Sequence, residues 1–258
     1  MAGRLYKSRG SVLRFLVMVF ALVSLVWIGG VNPEIAEAQV QKRQENKPSR
    51  NTQPQLHKTY PQDVKNLCPP EKIVFISAFG DSLVSGYGLD DPSTAFPVVL
   101  QKELRAIGYN VVVENDGVAG ETTAQGRKRL SKILSVKPDI ILMEFGANDM
   151  LQHKSVDRMK TNLSAMIEEI QHKKVHLLLA GMLSLPHFGN KYAASFEAVY
   201  PDLAKKYDVA LYPFFLEGAV LKHSLNQEDG YHPNVEGVNV IVRNILPYIV
   251  KEIQNVCR

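Results

Sequence analysis

At 258 residues, with 45% hydrophobic and 22% charged side chains, the chain can bury a sizeable core in one large domain or two small ones. Its formal charge of +4 is unevenly placed: residues 1–66 hold ten Lys and Arg against four Asp and Glu, which leaves −2 for residues 67–258. A near-neutral folded part excludes an extended nucleic-acid-binding face.

The chain opens with the pattern of an export signal over residues 1–38. Arg4, Lys7, Arg9 and Arg14 precede an uncharged apolar run from Phe15 to Ile28, and Ala36-Glu37-Ala38 supplies a small-x-small cleavage pattern. The run falls short of the roughly 20 residues that span a bilayer. Cleavage after Ala38 and a periplasmic or secreted product are expected, the alternative being retention by residues 12–28 as a membrane anchor. Residues 39–66 are rich in Gln, Lys, Arg, Asn and Pro and read as a solvated linker. It reads first as a spacer, and its basic character also suits peripheral contact with an anionic membrane surface.

Residues 67–258 then alternate short apolar runs with amphipathic segments. The pattern predicts strands at 73–79, 111–115, 139–145, 175–182 and 209–214, and helices at about 94–107, 122–136, 155–173, 191–207 and 234–254. Gly108 stops the first helix and Pro138 separates the second from its following strand. Over 155–173, Val156, Met159, Leu163, Met166, Ile167 and Ile170 form one stripe at helical spacing. The alternation predicts an α/β fold, a three-layer α/β/α sandwich around a five-stranded parallel sheet, as one catalytic domain. Cys68 precedes the first core strand and Cys257 is the penultimate residue. In an exported protein a bridge between the two ends of the domain is the expectation, against two free thiols.

The first core run, Ile73 to Phe79, breaks at Gly80-Asp81-Ser82. Ser82 therefore sits beyond the carboxyl end of a buried strand, where open α/β sheets carry their sites. It is either a helix N-cap or a nucleophile. Three further stretches fall on the same rim: Asn115 to Thr123 after the second strand, Gly146-Ala147-Asn148-Asp149 after the third, and Asp229-Gly230-Tyr231-His232-Pro233-Asn234 before the last helix. Singly each has a bland reading, as a glycine turn, an Asn or Asp cap, an Asx-turn or a surface histidine. Together they meet the requirements of acyl transfer. A serine hydroxyl needs an adjacent base, which His232 can be, and Asp229 can hold the imidazole in one tautomer. The backbone N–H groups of Ser82 and Gly120 and the side-chain amide of Asn148 are the candidate oxyanion donors. Glycine at 120 is expected to allow close approach without a Cβ.

These blocks, Gly80-Asp81-Ser82-Leu83, Gly120, Gly146-Ala147-Asn148-Asp149 and Asp229-Gly230-Tyr231-His232-Pro233, resemble in order and spacing those of the SGNH (GDSL) hydrolase family, from about residue 73 to 253. Within it the chain is similar to bacterial periplasmic thioesterase I, arylesterase and lysophospholipase enzymes, through Asp81 to Tyr87, Gly120 to Gly126, Tyr200 to Val209 and Pro213-Phe214-Phe215. The resemblance implies a flavodoxin-like fold, Ser82 as nucleophile, His232 as base, Asp229 as its orienter, and Gly120 and Asn148 as oxyanion donors beside the Ser82 N–H. It implies a cofactor-free, metal-free monomer acting on medium or long acyl esters, thioesters or lysophospholipids through an acyl-enzyme. The rival activity is a carbohydrate or cell-wall O-deacetylase, and a non-catalytic envelope-binding protein is the rival of another class. Two departures stand out: Ala147 where relatives often carry a second Gly, and Tyr231 between Asp229 and His232. Val84 stands where a G-x-S-x-G elbow needs Gly, against an ordinary α/β-hydrolase.

Leu83, Tyr87, Leu183, Leu185, Pro186, Phe188 and Tyr192 follow strands on this rim and are candidates to line an apolar acyl groove, or else to fasten loops to the core. Glu144, late in an apolar strand, either holds the Ser82 turn through hydrogen bonds or faces solvent beside the cleft. His57, His153, His172, His176 and His223 lack metal-ligand spacing, and His187 is at most pocket-lining.

Overall fold

The computed structural model describes residues 68–69 and 71–258. The expected signal, cleavage site and linker lie outside the described residues. Among the described residues no helix is long and apolar enough to cross a membrane.

Five parallel strands form one sheet: β1 (Val74–Gly80), β2 (Val111–Gly117), β3 (Ile140–Glu144), β4 (His176–Ala180) and β5 (Ala210–Tyr212). Their spatial order is β2-β1-β3-β4-β5, the flavodoxin-like order in which the chain reverses direction between the first and third strands. The sequence dictates which strands lie inside. Every residue of β3 is buried, and Ile76 to Gly80 of β1 are buried without a break, as expected of strands covered on both faces.

Among the described residues seven α-helices flank the sheet: α1 (Ser82–Ser85), α2 (Phe96–Ala106), α3 (Thr123–Ser135), α4 (Ala147–Leu151), α5 (Val156–His172), α6 (Asn190–Tyr207) and α7 (Val235–Cys257). Helices α2 and α7 pack together on one side, and α3, α5 and α6 on the other. Each buries the stripe its sequence carries. In α5 this is Met159, Leu163, Met166, Ile167 and Ile170, and in α7 it runs from Val238 to Ile253. At roughly 25 cal/mol per Å² of apolar surface removed from water, this core is the main stabilising term.

The differences from expectation are local. Helices α1 and α4 were not anticipated, because four and five residues show no periodicity. Strand β2 runs on to Gly117 through polar Glu114, Asn115 and Asp116, since pairing with β1 continues and Ser77 Oγ donates to Asp116 Oδ2 at 2.6 Å. Strand β5 is only three residues long.

Cys68 and Cys257 are joined by a disulfide, with Cα atoms 5.1 Å apart across 189 residues of sequence. Lys72 Nζ adds a hydrogen bond to the Val256 carbonyl at 3.0 Å. The start of the domain is thus fastened to the end of α7, at the pole where β1 begins.

Candidate active site

The reversal between β1 and β3 leaves a crevice at the carboxyl ends of those strands, and the polar blocks converge there. Gly80 closes β1 where no side chain fits: a Cβ would stand 2.5 Å from Val84 Cγ2 and 2.8 Å from the Glu144 carbonyl oxygen. Asp81 follows as the N-cap of α1, its carboxylate accepting from Leu83 N at 3.0 Å. This leaves Ser82 as the first helical residue.

His232 reaches Ser82 from a loop 150 residues later. That loop is pinned by a bridge between Asn226 and Pro233, by Gln227 N donating to the His232 carbonyl at 2.8 Å, and by Asn234 capping α7 through Gly237 N. Gln227 Nε2 also donates to the carbonyls of Tyr87 and Pro233, tying this loop to the segment after Ser82. His232 Nε2 lies 2.9 Å from Ser82 Oγ, and His232 Nδ1 lies 2.6 Å from Asp229 Oδ2. Asp229 Oδ1 accepts from the backbone N–H groups of Tyr231 and His232. Burial alone would raise the Asp229 carboxyl, but hydrogen bonds from the His232 ring and these two N–H groups outweigh it and lower its pKa to about 2. An ionised Asp229 favours the tautomer with hydrogen on Nδ1. Nε2 is then free to take the hydroxyl proton.

Asn148 stands in the first turn of α4, and its Nδ2 donates to Asp81 Oδ2 at 2.9 Å, which places its amide beside the turn that starts at Ser82. The next residue, Asp149, is buried and accepts from both the N–H and the hydroxyl of Thr123 at 2.7 Å. This couples the Asn148 turn to the N-terminus of α3, which Gly120 precedes. Gly80 O receives Val118 N and Arg129 Nη2, fastening the Gly120 loop to β1 as well. Gly120 has φ +82°, and a Cβ there would meet nothing within 4 Å. The expected reason for this glycine was close approach. The structure gives another: a left-handed backbone facing open space.

Glu144 takes the first of its two readings, since it is wholly buried and not solvent-facing. Its Oε2 accepts from Asp81 N at 3.5 Å, which sets its carboxyl beneath the Asp81 turn. Burial, and then repulsion from Asp81, raise the Glu144 carboxyl well above its ordinary range. Burial raises Asp81 to about 6, opposed by its bonds from Leu83, Glu144 and Asn148. Glu144 therefore holds the proton of this pair. Sequence reasoning left Asp81 without a role and gave Asp149 only that of a cap; the only signal was a carboxylate beside each motif residue, at strand ends too apolar to solvate it.

Residues 78–240 match the model of the GDSL-like Lipase/Acylhydrolase family. The chain belongs to that family. It is 34% identical to Esterase TesA of Pseudomonas aeruginosa over 169 residues, 65% of this chain and 84% of TesA. It is also 34% identical over 156 residues to the Thioesterase 1/protease 1/lysophospholipase L1 of Escherichia coli K12, 60% of this chain and 73% of that protein. The crystal structure of AlinE4, an SGNH-hydrolase family esterase, superposes with TM-score 0.59 at 40% identity, covering 70% of this chain and 96% of AlinE4. The chain is an ester-bond hydrolase.

The acyl-groove candidates of this hydrolase divide. Leu83, Leu183 and Leu185 are buried in the core and belong to the fastening alternative, anchoring α1 and the segment after β4. Phe188 and Tyr192 are half-buried, their rings stacked at 5.2 Å, with His153 and His187 against Phe188. Tyr87 is half exposed, with its ring 5.0 Å from the imidazole of His232. Among the described residues no three His, Cys, Asp or Glu side chains are grouped to hold a metal. A cleft of about 650 Å³ opens at the opposite edge of the sheet, lined by His176, Asp208, Lys251 and Glu252 among others, and shares no residue with the triad geometry.

Proposed function

We propose that this hydrolase is an exported serine esterase that cleaves acyl esters, thioesters or lysophospholipids through an acyl-enzyme. The observation that carries the reading is the imidazole of His232 held between Ser82 Oγ at 2.9 Å and Asp229 at 2.6 Å. Ser82 Oγ attacks the acyl carbonyl while its proton passes to His232 Nε2. The tetrahedral oxyanion is met by the N–H groups of Ser82 and Gly120 and by the Asn148 amide. Collapse breaks the bond to the leaving alcohol or thiol, which departs with the proton from His232. Water, deprotonated by the same imidazole, attacks the acyl-serine and releases the carboxylic acid, restoring Ser82. Asp229 stays ionised and stabilises the imidazolium.

The names of the E. coli and P. aeruginosa relatives support an acyl ester, thioester or lysophospholipid as the substrate class. Export rests on the signal pattern of residues 1–38. Nitrophenyl esters from acetyl to palmitoyl test the reading. Wild type is expected to turn over butyryl and longer chains and Ser82→Ala to lose nearly all activity; a mutant that keeps its turnover removes Ser82 from the mechanism. Activity confined to the acetyl ester favours an O-deacetylase instead.

A further inference from the structure

Asp81 touches both halves of the proposed machinery. One carboxylate oxygen accepts Leu83 N at 3.0 Å and so caps the turn that begins at Ser82. Capping needs only that oxygen. The other accepts Asn148 Nδ2 at 2.9 Å, with Asp81 fully buried.

The two ends of a primary amide are alike in shape and opposite in polarity. An asparagine with no fixed partner can present either its NH₂ or its carbonyl to a developing anion, and the carbonyl repels it. An ionised carboxylate accepts only, so it bonds the NH₂ end and leaves the second N–H of that nitrogen for another acceptor. Resting on the assignment of Asn148 as an oxyanion donor, we propose that Asp81 is a positioning residue that sets the Asn148 amide the right way round and registers it against the nucleophile's turn. Glu144 beneath it supports the arrangement: by keeping the proton of the pair, it leaves Asp81 an acceptor.

Asp81→Asn tests this with little change of shape. Its carbonyl oxygen still caps Leu83 N–H, but an NH₂ group now faces the NH₂ of Asn148, which must turn over and present its carbonyl to the oxyanion. For a nitrophenyl ester, kcat is expected to fall about 10²-fold, the scale of losing one oxyanion donor, while KM and melting temperature stay near wild type. Asp81→Asn combined with Asn148→Ala is expected to be no slower than Asn148→Ala alone. Asp81→Ser, which keeps a capping oxygen but not the second acceptor, should show a smaller loss that also vanishes in the Asn148→Ala background; it decides the matter by that criterion if Asp81→Asn does not fold. Wild-type kcat in Asp81→Asn, a loss confined to KM, or losses that multiply with Asn148→Ala overturn the proposal. Wild-type kcat in Asn148→Ala overturns the oxyanion assignment itself, so the two failures are told apart.

Discussion

Glu144 sits at the end of a strand whose every residue is buried, and its proton links stability to pH. Its carboxyl is raised well above the ordinary 4.5 by burial and by Asp81, so the folded protein binds a proton that the unfolded chain gives up. Stability from this group is complete below about pH 4.5 and declines as pH rises toward the folded value, by up to ~1.4 kcal/mol per pH unit. Glu144→Gln is neutral throughout and is expected to gain on wild type above pH 5. Urea midpoints at pH 5, 7 and 9 check this; parallel profiles would mean that Glu144 is already ionised in the fold. The motif serine and asparagine were legible because each sits in a polar block that closes an apolar run, and the histidine because its block stands just before the last helix. The partnership of Asp81 with Glu144 was not. Sixty-three residues separate the two, and only the pairing of β1 beside β3 brings them together.

At the level of elements, two glycines on successive parts of one connection separate steric need from backbone need. Gly117 ends β2 with its Cα against α1: a Cβ would lie 2.3 Å from Ser85 N and 2.7 Å from Ser85 Cα. Main-chain atoms there cannot swing aside. Gly120 meets nothing, and its demand is the positive φ alone. Gly117→Ala is therefore expected to cost about 1–3 kcal/mol from overpacking, and to disturb the turn that begins at Ser82. Gly120→Ala is expected to cost about 1–2 kcal/mol from left-handed strain. Paired denaturation curves rank them; equal costs would mean that α1 yields. The five strands and five longer helices were readable from their apolar runs and stripes, although Ala210 and Leu211 of the shortest strand are only half-buried. The two shortest helices escaped that reading, although one begins with Ser82, the proposed nucleophile. One is capped by the adjacent Asp81, and the other is held by the bonds of Asn148 to Asp81 and of Asp149 to Thr123, which reach across the sequence.

Over the whole molecule, the disulfide closes a loop of 189 residues. In the chain-entropy model so long a closure is worth about 4–5 kcal/mol, and removing a native bridge commonly costs about 2–5. Cys257→Ser is expected to lower the melting temperature by several degrees while leaving kcat for a nitrophenyl ester unchanged at 25 °C, because the bridge lies where β1 starts and α7 stops, away from the rim that carries His232. A fall in kcat with the fold intact would show that the bridge reaches the active rim after all.

That fastening also fixes where the fold can be held. Its first and last described residues emerge side by side at the base of the sandwich, with the entrance at the summit. Attaching this hydrolase to a bead or a carrier domain through Arg258 therefore puts the support at the pole opposite the rim that carries His232, and leaves that rim open to molecules too bulky to slip between the enzyme and its support.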